Sequence, residues 1–125
     1  MALYENLPVY KAAYDLLLRV YKLCSHMHRT HRYTLGERVQ EEMTELMLNI
    51  YRANSAREKK AIIQTARENT AAVKLLFRVL HDLDQLSLKQ FISVSEQIEA
   101  VSKQLAAWGK SARGSSSGDR TETDK

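Results

Sequence analysis

The sequence predicts an all-α protein, an antiparallel up-and-down four-helix bundle, and three observations carry that prediction. Pro8 is the only proline and no glycine occurs between Gly36 and Gly109, so helix-breaking residues are confined to the ends and one corner. The stretches Thr34-Leu35-Gly36-Glu37, Ser55-Ala56-Arg57-Glu58 and Ser87-Leu88-Lys89-Gln90 each fit a capping box. In that motif a hydroxyl accepts from an early backbone N–H while the acid or amide reaches back to the cap. Between these starts apolar residues recur at alternating threes and fours, the spacing of a helix with one buried face. Short turns make an antiparallel bundle the simplest way to pair such faces.

The first helix opens at Pro8, whose missing N–H is harmless in a first turn. Its seam is Val9, Ala13, Leu16, Val20, Leu23 and Met27. The second helix, starting at Thr34, presents Leu35, Val39, Met43, Leu46, Ile50 and Ala53. The third presents Ile62, Ala66, Val73, Leu76, Leu80 and Leu83, with Asn69 as a polar interruption on the core face. The fourth presents Phe91, Val94, Ile98, Val101, Leu105 and Trp108. A 125-residue chain is one domain's worth, here a bundle over residues 1–110. Residues 111–125 lose the apolar period and become rich in Ser, Gly and charge. They are expected to form a disordered polar tail, because burial cannot compensate their ordering entropy.

Charge narrows the function classes. The net charge of +4 favours a polyanionic partner. The three bases and three acids after residue 110 cancel, so the excess belongs to the bundle. One face of the third helix, Lys60, Gln64, Arg67, Ala71, Lys74, Arg78 and His81, contains no acid, and at ~1.5 Å per residue it spans roughly 30 Å. Acids gather instead on the second helix at Glu37, Glu41, Glu42 and Glu45. The corner between the first two helices adds Arg29, Arg32 and Arg38. Arg29, Arg32, Arg38, Lys60, Arg67, Lys74 and Arg78 are therefore the expected nucleic-acid-binding residues, reading backbone rather than bases because only Tyr33 offers a ring among them. The alternative is a solvated charged face, with Arg67 and Lys74 pairing to nearby acids.

A second stripe on the first helix, Tyr10, Tyr14, Leu17, Tyr21 and Cys24, lies one residue out of phase with the seam. Either the helix sits deep and buries both stripes in its own bundle, or the aromatics form a subunit interface. The second reading is preferred, because a small bundle has room for one seam per helix.

Catalytic and metal chemistry find little support. Cys24, His26, His28 and His31 are competent zinc ligands, but His26 would point away from the others and no second ligand pair follows. Cys24 lies on an apolar stripe, where a thiol is inert. No phosphate loop, Ser-His-Asp set or paired carboxylate stands out, so neither cofactor nor metal is expected. Arg19 and His26 resemble the spacing of the Arg and His pair of the helical HEPN ribonucleases. Val20 stands where those proteins carry a polar residue, and no acid orients the histidine. An RNA-cleaving helical protein of that kind is the alternative to a non-enzymatic role. The corner histidines would add charge below about pH 6.5 and tighten any hold on phosphate. A lone cysteine and the lack of a leader or a bilayer-length apolar run point to a cytoplasmic protein without a membrane role.

Three phrases, Tyr33-Thr34-Leu35-Gly36-Glu37-Arg38, Leu76-Phe77-Arg78-Val79-Leu80-His81-Asp82-Leu83 and Gln104-Leu105-Ala106-Ala107-Trp108-Gly109-Lys110, carry a resemblance in their order. From about Leu7 to Lys110 the chain resembles the accessory variability determinants of diversity-generating retroelements, relatives of the bacterial rRNA intervening-sequence proteins. It departs from them at Ala106-Ala107, where glycines are expected. The resemblance implies a ring-like homopentamer of four-helix bundles in a bacterial host cell. Such a ring binds a reverse transcriptase together with RNA or DNA and supports mutagenic copying of template RNA, with no catalysis of its own.

Overall fold

In the computed structural model the backbone is described for residues 6–124 and the side chains for residues 6–112. Residues 1–5 and 125, and the side chains of the polar tail expected after residue 110, lie outside this description apart from Ser111 and Ala112. The elements are α1 (Pro8–Ser25), a three-residue α2 (Arg29–His31), a π turn (Arg32–Gly36), α3 (Glu37–Ser55), α4 (Lys60–Asp82) and α5 (Leu88–Asp124). The described residues contain no strand. The four long helices form the expected bundle, with α3 against α4, α4 against α5, and α1 bridging α3 and α5.

The seams of α1 and α5 match expectation closely. Val9, Ala13, Leu16, Val20, Leu23 and Met27 are all buried, as are Val94, Ile98, Val101 and Leu105, while Phe91 and Trp108 are half-buried at the edges. On α3 the seam holds from Val39 to Ala53, with Leu35 half-buried in the π turn. The expected seam of α4 is partly wrong. The core takes Ile63, Ala66, Thr70, Val73, Phe77 and Leu80, whereas Ile62 and Leu76 are half-buried and Leu83 is exposed. Two apolar doublets, Ile62-Ile63 and Leu76-Phe77, supported either phase equally. The larger ring at Phe77 goes to the centre, where it removes most apolar surface from water.

Thr70 can occupy the core because its hydroxyl donates to the Ala66 carbonyl at 3.1 Å. Asn69, expected on the core face, lies instead on the α3–α4 seam. There Asn49 Nδ2 donates to Asn69 Oδ1 at 2.8 Å, and Asn69 Nδ2 donates to Glu42 Oε1 at 2.9 Å.

Of the three expected capping boxes, one forms. The Ser87 N–H donates to Gln90 Oε1 at 2.9 Å and the Gln90 N–H to Ser87 Oγ at 3.1 Å, so α5 begins as the sequence says. At Ser55 the helix ends instead. Lys59 Nζ reaches back to the carbonyls of Ala53, Asn54 and Ala56 at 2.8, 3.1 and 2.9 Å, so an ammonium satisfies the orphan acceptors of α3. At Thr34 the chain is already helical, and the hydroxyl donates to the Thr30 carbonyl at 2.9 Å. The cap lies six residues earlier, where His28 Nδ1 accepts from the Thr30 N–H at 3.2 Å.

The turn after α4 closes with Gln85 N–H on the Leu80 carbonyl and Asp84 N–H on the His81 carbonyl, both at 2.9 Å. Asp84 takes the left-handed conformation (φ 62°) that such a helix end needs. This turn meets the α1–α2 corner, because the His28 N–H donates to Gln85 Oε1 at 2.8 Å.

Candidate nucleic-acid interface

The corner is held together mainly by its own backbone acceptors. Arg32 Nη1 donates to the Ser25 carbonyl at 3.3 Å, near the end of α1, and its guanidinium carbon sits 5.1 Å from the Tyr33 ring centre. Arg32 Nε is buried and has no partner. Arg32 is thus partly a structural clamp, whereas Arg29 is exposed, with no carboxylate within 4 Å among the described residues.

Gly36 explains how the corner closes. Its backbone is helical (φ −61°, ψ −46°), so no special conformation demands glycine. A Cβ there would lie 3.3 Å from the His31 carbonyl oxygen, 3.6 Å from Cys24 Sγ and 3.7 Å from Met27 Sδ, which makes close approach the requirement. Cys24 Sγ donates to the Gly36 carbonyl at 3.7 Å. Burial pushes its thiol up to about 11, a side-chain hydrogen bond with Gln40 opposing the rise only in part. A thiol so protonated and enclosed is neither nucleophile nor ready metal ligand.

Along α4 the acid-free line exists on the helix but not in space. Lys74 Nζ lies 3.5 Å from Glu99 of α5, and Arg78 Nε lies 3.5 Å from Asp82. Glu68 and Glu99 share a cleft with Gln64, Arg67 and Lys74, and Glu58 shares the next with Lys60 and Arg67. Arg38 sits on the acidic helix, its Nη2 3.0 Å from Glu42. That carboxylate is largely buried and also held by Asn69, so the pair is fixed. The Lys74 and Arg78 pairs are exposed at both ends, contribute little, and can open to a competing phosphate. Arg29, Lys60 and Arg67 have no carboxylate within 4 Å among the described residues. The seven expected cations therefore do not form one continuous patch. Arg29 and Arg32 stand at the corner, Lys60 and Arg67 toward the opposite end of the bundle, with the paired side chains between.

Arg19 Nη1 donates to Gln97 Oε1 at 3.0 Å across to α5, while His26 follows the last turn of α1. His28 and His31 have ring centres 6.3 Å apart, and Cys24 faces inward. Among the described residues no three His, Cys, Asp or Glu side chains converge on a metal-sized space.

The tyrosine stripe opens outward. Cys24 joins the core and Tyr10 and Leu17 are half-buried, but Tyr14 and Tyr21 are 42% and 47% exposed. Tyr10 and Tyr14 stack with centroids 6.0 Å apart. With Leu17 they line a mostly apolar groove completed by Met47, Leu48 and Tyr51 of α3. Sequence reasoning missed the α3 half. Its signal was present, since Met47, Leu48 and Tyr51 stand off the α3 seam at helical spacing.

No helix among the described residues is long and apolar enough to cross a membrane. No curated protein matches the chain. A family model described as bAvd-like matches residues 8–112, which takes in α1, α3, α4, the first two thirds of α5 and all three phrases behind the resemblance to accessory variability determinants. The chain belongs to the bAvd-like family.

Proposed function

We propose that the protein is a non-catalytic accessory subunit of a diversity-generating retroelement, binding nucleic acid and partnering the reverse transcriptase during mutagenic copying of template RNA. Family membership over the whole bundle supports the accessory role. The observation that carries nucleic-acid binding is the exposed set Arg29, Lys60 and Arg67, cations with no carboxylate within 4 Å among the described residues, beside the openable pairs of Lys74 and Arg78. Cations of this kind release counterions from a phosphate backbone without reading sequence. The groove of Tyr10, Tyr14, Leu17 and Tyr51 supports self-association, in this reading the ring-like homopentamer. Several copies would multiply a modest basic surface by avidity. The site of action is the bacterial cytoplasm, where the retroelement's RNA and enzyme are found.

Salt titration of RNA and DNA binding tests the reading. The expected result is affinity that falls steeply with salt and is abolished by charge reversal at Arg29, Arg32, Arg67 and Lys74 together. Binding that ignores salt, or survives that variant, contradicts it.

A further inference from the structure

We propose that nucleic acid is gripped at the histidine-bearing end of the bundle, by Arg29 with the imidazoles of His26 and His31, and that protonation of those two imidazoles tightens the grip. The proposal rests on the nucleic-acid-binding reading above and gives that function a location and a control.

All four histidines of the chain lie at one end. α1 runs up to His26, His28 caps α2 and His31 ends it, and α4 ends one residue after His81. The bond from the His28 N–H to Gln85 Oε1 joins the corner to the α4–α5 turn, so these histidines occupy one surface rather than two separate loops.

Two of the four are already committed. His28 Nδ1 accepts from the Thr30 N–H, and a proton there would cost α2 its cap. His81 stacks on Phe91 with centroids 4.4 Å apart and rings 12° from parallel, and its Nδ1 lies 3.8 Å from Asp82, so charge gained there meets a carboxylate of the protein itself. His26 has neither commitment, and His31 has only a tilted ring contact with His28, centroids 6.3 Å apart. His26 is exposed just past the C-terminus of α1, where a cation is favoured by the helix dipole, and His31 is half-buried one helical step from Arg32.

Neither has a carboxylate within 4 Å among the described residues. The charged groups on the elements around them are Lys22 of α1, Arg29 of α2, Arg32 of the π turn, Glu37 and Arg38 of α3, Arg78 and Asp82 of α4, and Asp84 of the turn. Asp82 already serves Arg78, and Arg38 serves Glu42. At neutral pH this end is weakly positive. Each imidazole that takes a proton adds one positive charge at this end, which then holds more cations than the carboxylates of Glu37, Asp82 and Asp84 can offset. On the side of α4, by contrast, Glu58, Glu68 and Glu99 line the same clefts as the cations, and an anion there meets both signs.

Fluorescence anisotropy with a labelled single-stranded RNA of mixed sequence, at pH 6 and pH 8 over a salt series, tests the assignment. The proteins to compare are wild type, H26Q/H31Q, R29Q and K60Q/R67Q, each checked for unchanged helicity. Wild type should bind roughly tenfold or more tightly at pH 6, with a log–log salt slope steeper by about 0.7 per added phosphate contact. H26Q/H31Q should lose most of the gain at pH 6, and R29Q should weaken binding at both. If the gain survives in H26Q/H31Q, or K60Q/R67Q loses binding while R29Q does not, the grip lies elsewhere and the inference fails while nucleic-acid binding stands. If wild type binds at neither pH, the nucleic-acid reading fails and this inference with it.

Discussion

Asn49 of α3 and Asn69 of α4 are joined side chain to side chain at 2.8 Å, and this contact fixes how the two helices face each other. Asn49 is only 5% exposed. Its oxygen accepts from Arg52 Nη1 at 3.1 Å, and Asn69 passes its own amide hydrogen to Glu42, so a polar chain runs along the seam. Asn69→Ala leaves a buried amide and a mostly buried carboxylate each short of a partner. We expect a loss of about 1–3 kcal/mol, measured as a lowered urea midpoint with unchanged slope. A loss below about 0.5 kcal/mol would show that the chain does not fix the seam.

Gly36→Ala tests the closure of the corner. In an ordinary helix this exchange stabilises by roughly 0.5–1 kcal/mol. Here the new Cβ meets a backbone carbonyl at 3.3 Å with two sulfurs behind it, and a backbone atom yields poorly. The sign should reverse, to a destabilisation of about 1–3 kcal/mol in thermal or urea unfolding.

Cys24 gives a pH prediction. Its thiol titrates higher in the folded chain (about 11) than in the unfolded one (9.0), so between those values the folded state holds the proton that the unfolded state has lost. The contribution of Cys24 to stability is therefore complete below pH 9 and disappears as pH rises through about 11. Cys24→Ala should flatten the fall in stability over that window. At pH 8 a thiol reagent should label wild type only as fast as the corner opens, and rapid labelling of folded protein would contradict the burial described here.

The groove between α1 and α3 predicts self-association. Light scattering at micromolar concentration should give an oligomer for wild type and a monomer with intact helicity for a Tyr14→Glu, Leu48→Glu double variant. Both side chains are at least 40% exposed in the single chain, so the substitutions spare the core. A monomeric wild type would remove the interface reading of Tyr10, Tyr14, Leu17 and Tyr21.

The sequence is most legible where one physical signal acts alone. The seams of α1 and α5 follow from apolar spacing that admits a single phase, and the Ser87–Gln90 cap from two residues with no competing partner. It is least legible where neighbours compete. On α4 adjacent apolar doublets left the phase open, and the polar Asn69 was the mark of a seam rather than a core defect. At Thr34 and Ser55 the local pattern for a cap was present, but His28 and Lys59, several residues away, took over the helix ends. The basic line of α4 read as acid-free because the spacing of one helix says nothing about Glu99, which arrives from another.

The central claim, an accessory subunit that brings a reverse transcriptase and nucleic acid together, is tested most directly by co-purification. The tagged protein should be expressed with the reverse transcriptase of a diversity-generating retroelement, isolated at low salt, and any bound RNA sequenced. The account predicts that the enzyme is retained together with template RNA, and that both are lost at high salt. Retention of neither the enzyme nor nucleic acid at low salt would contradict it.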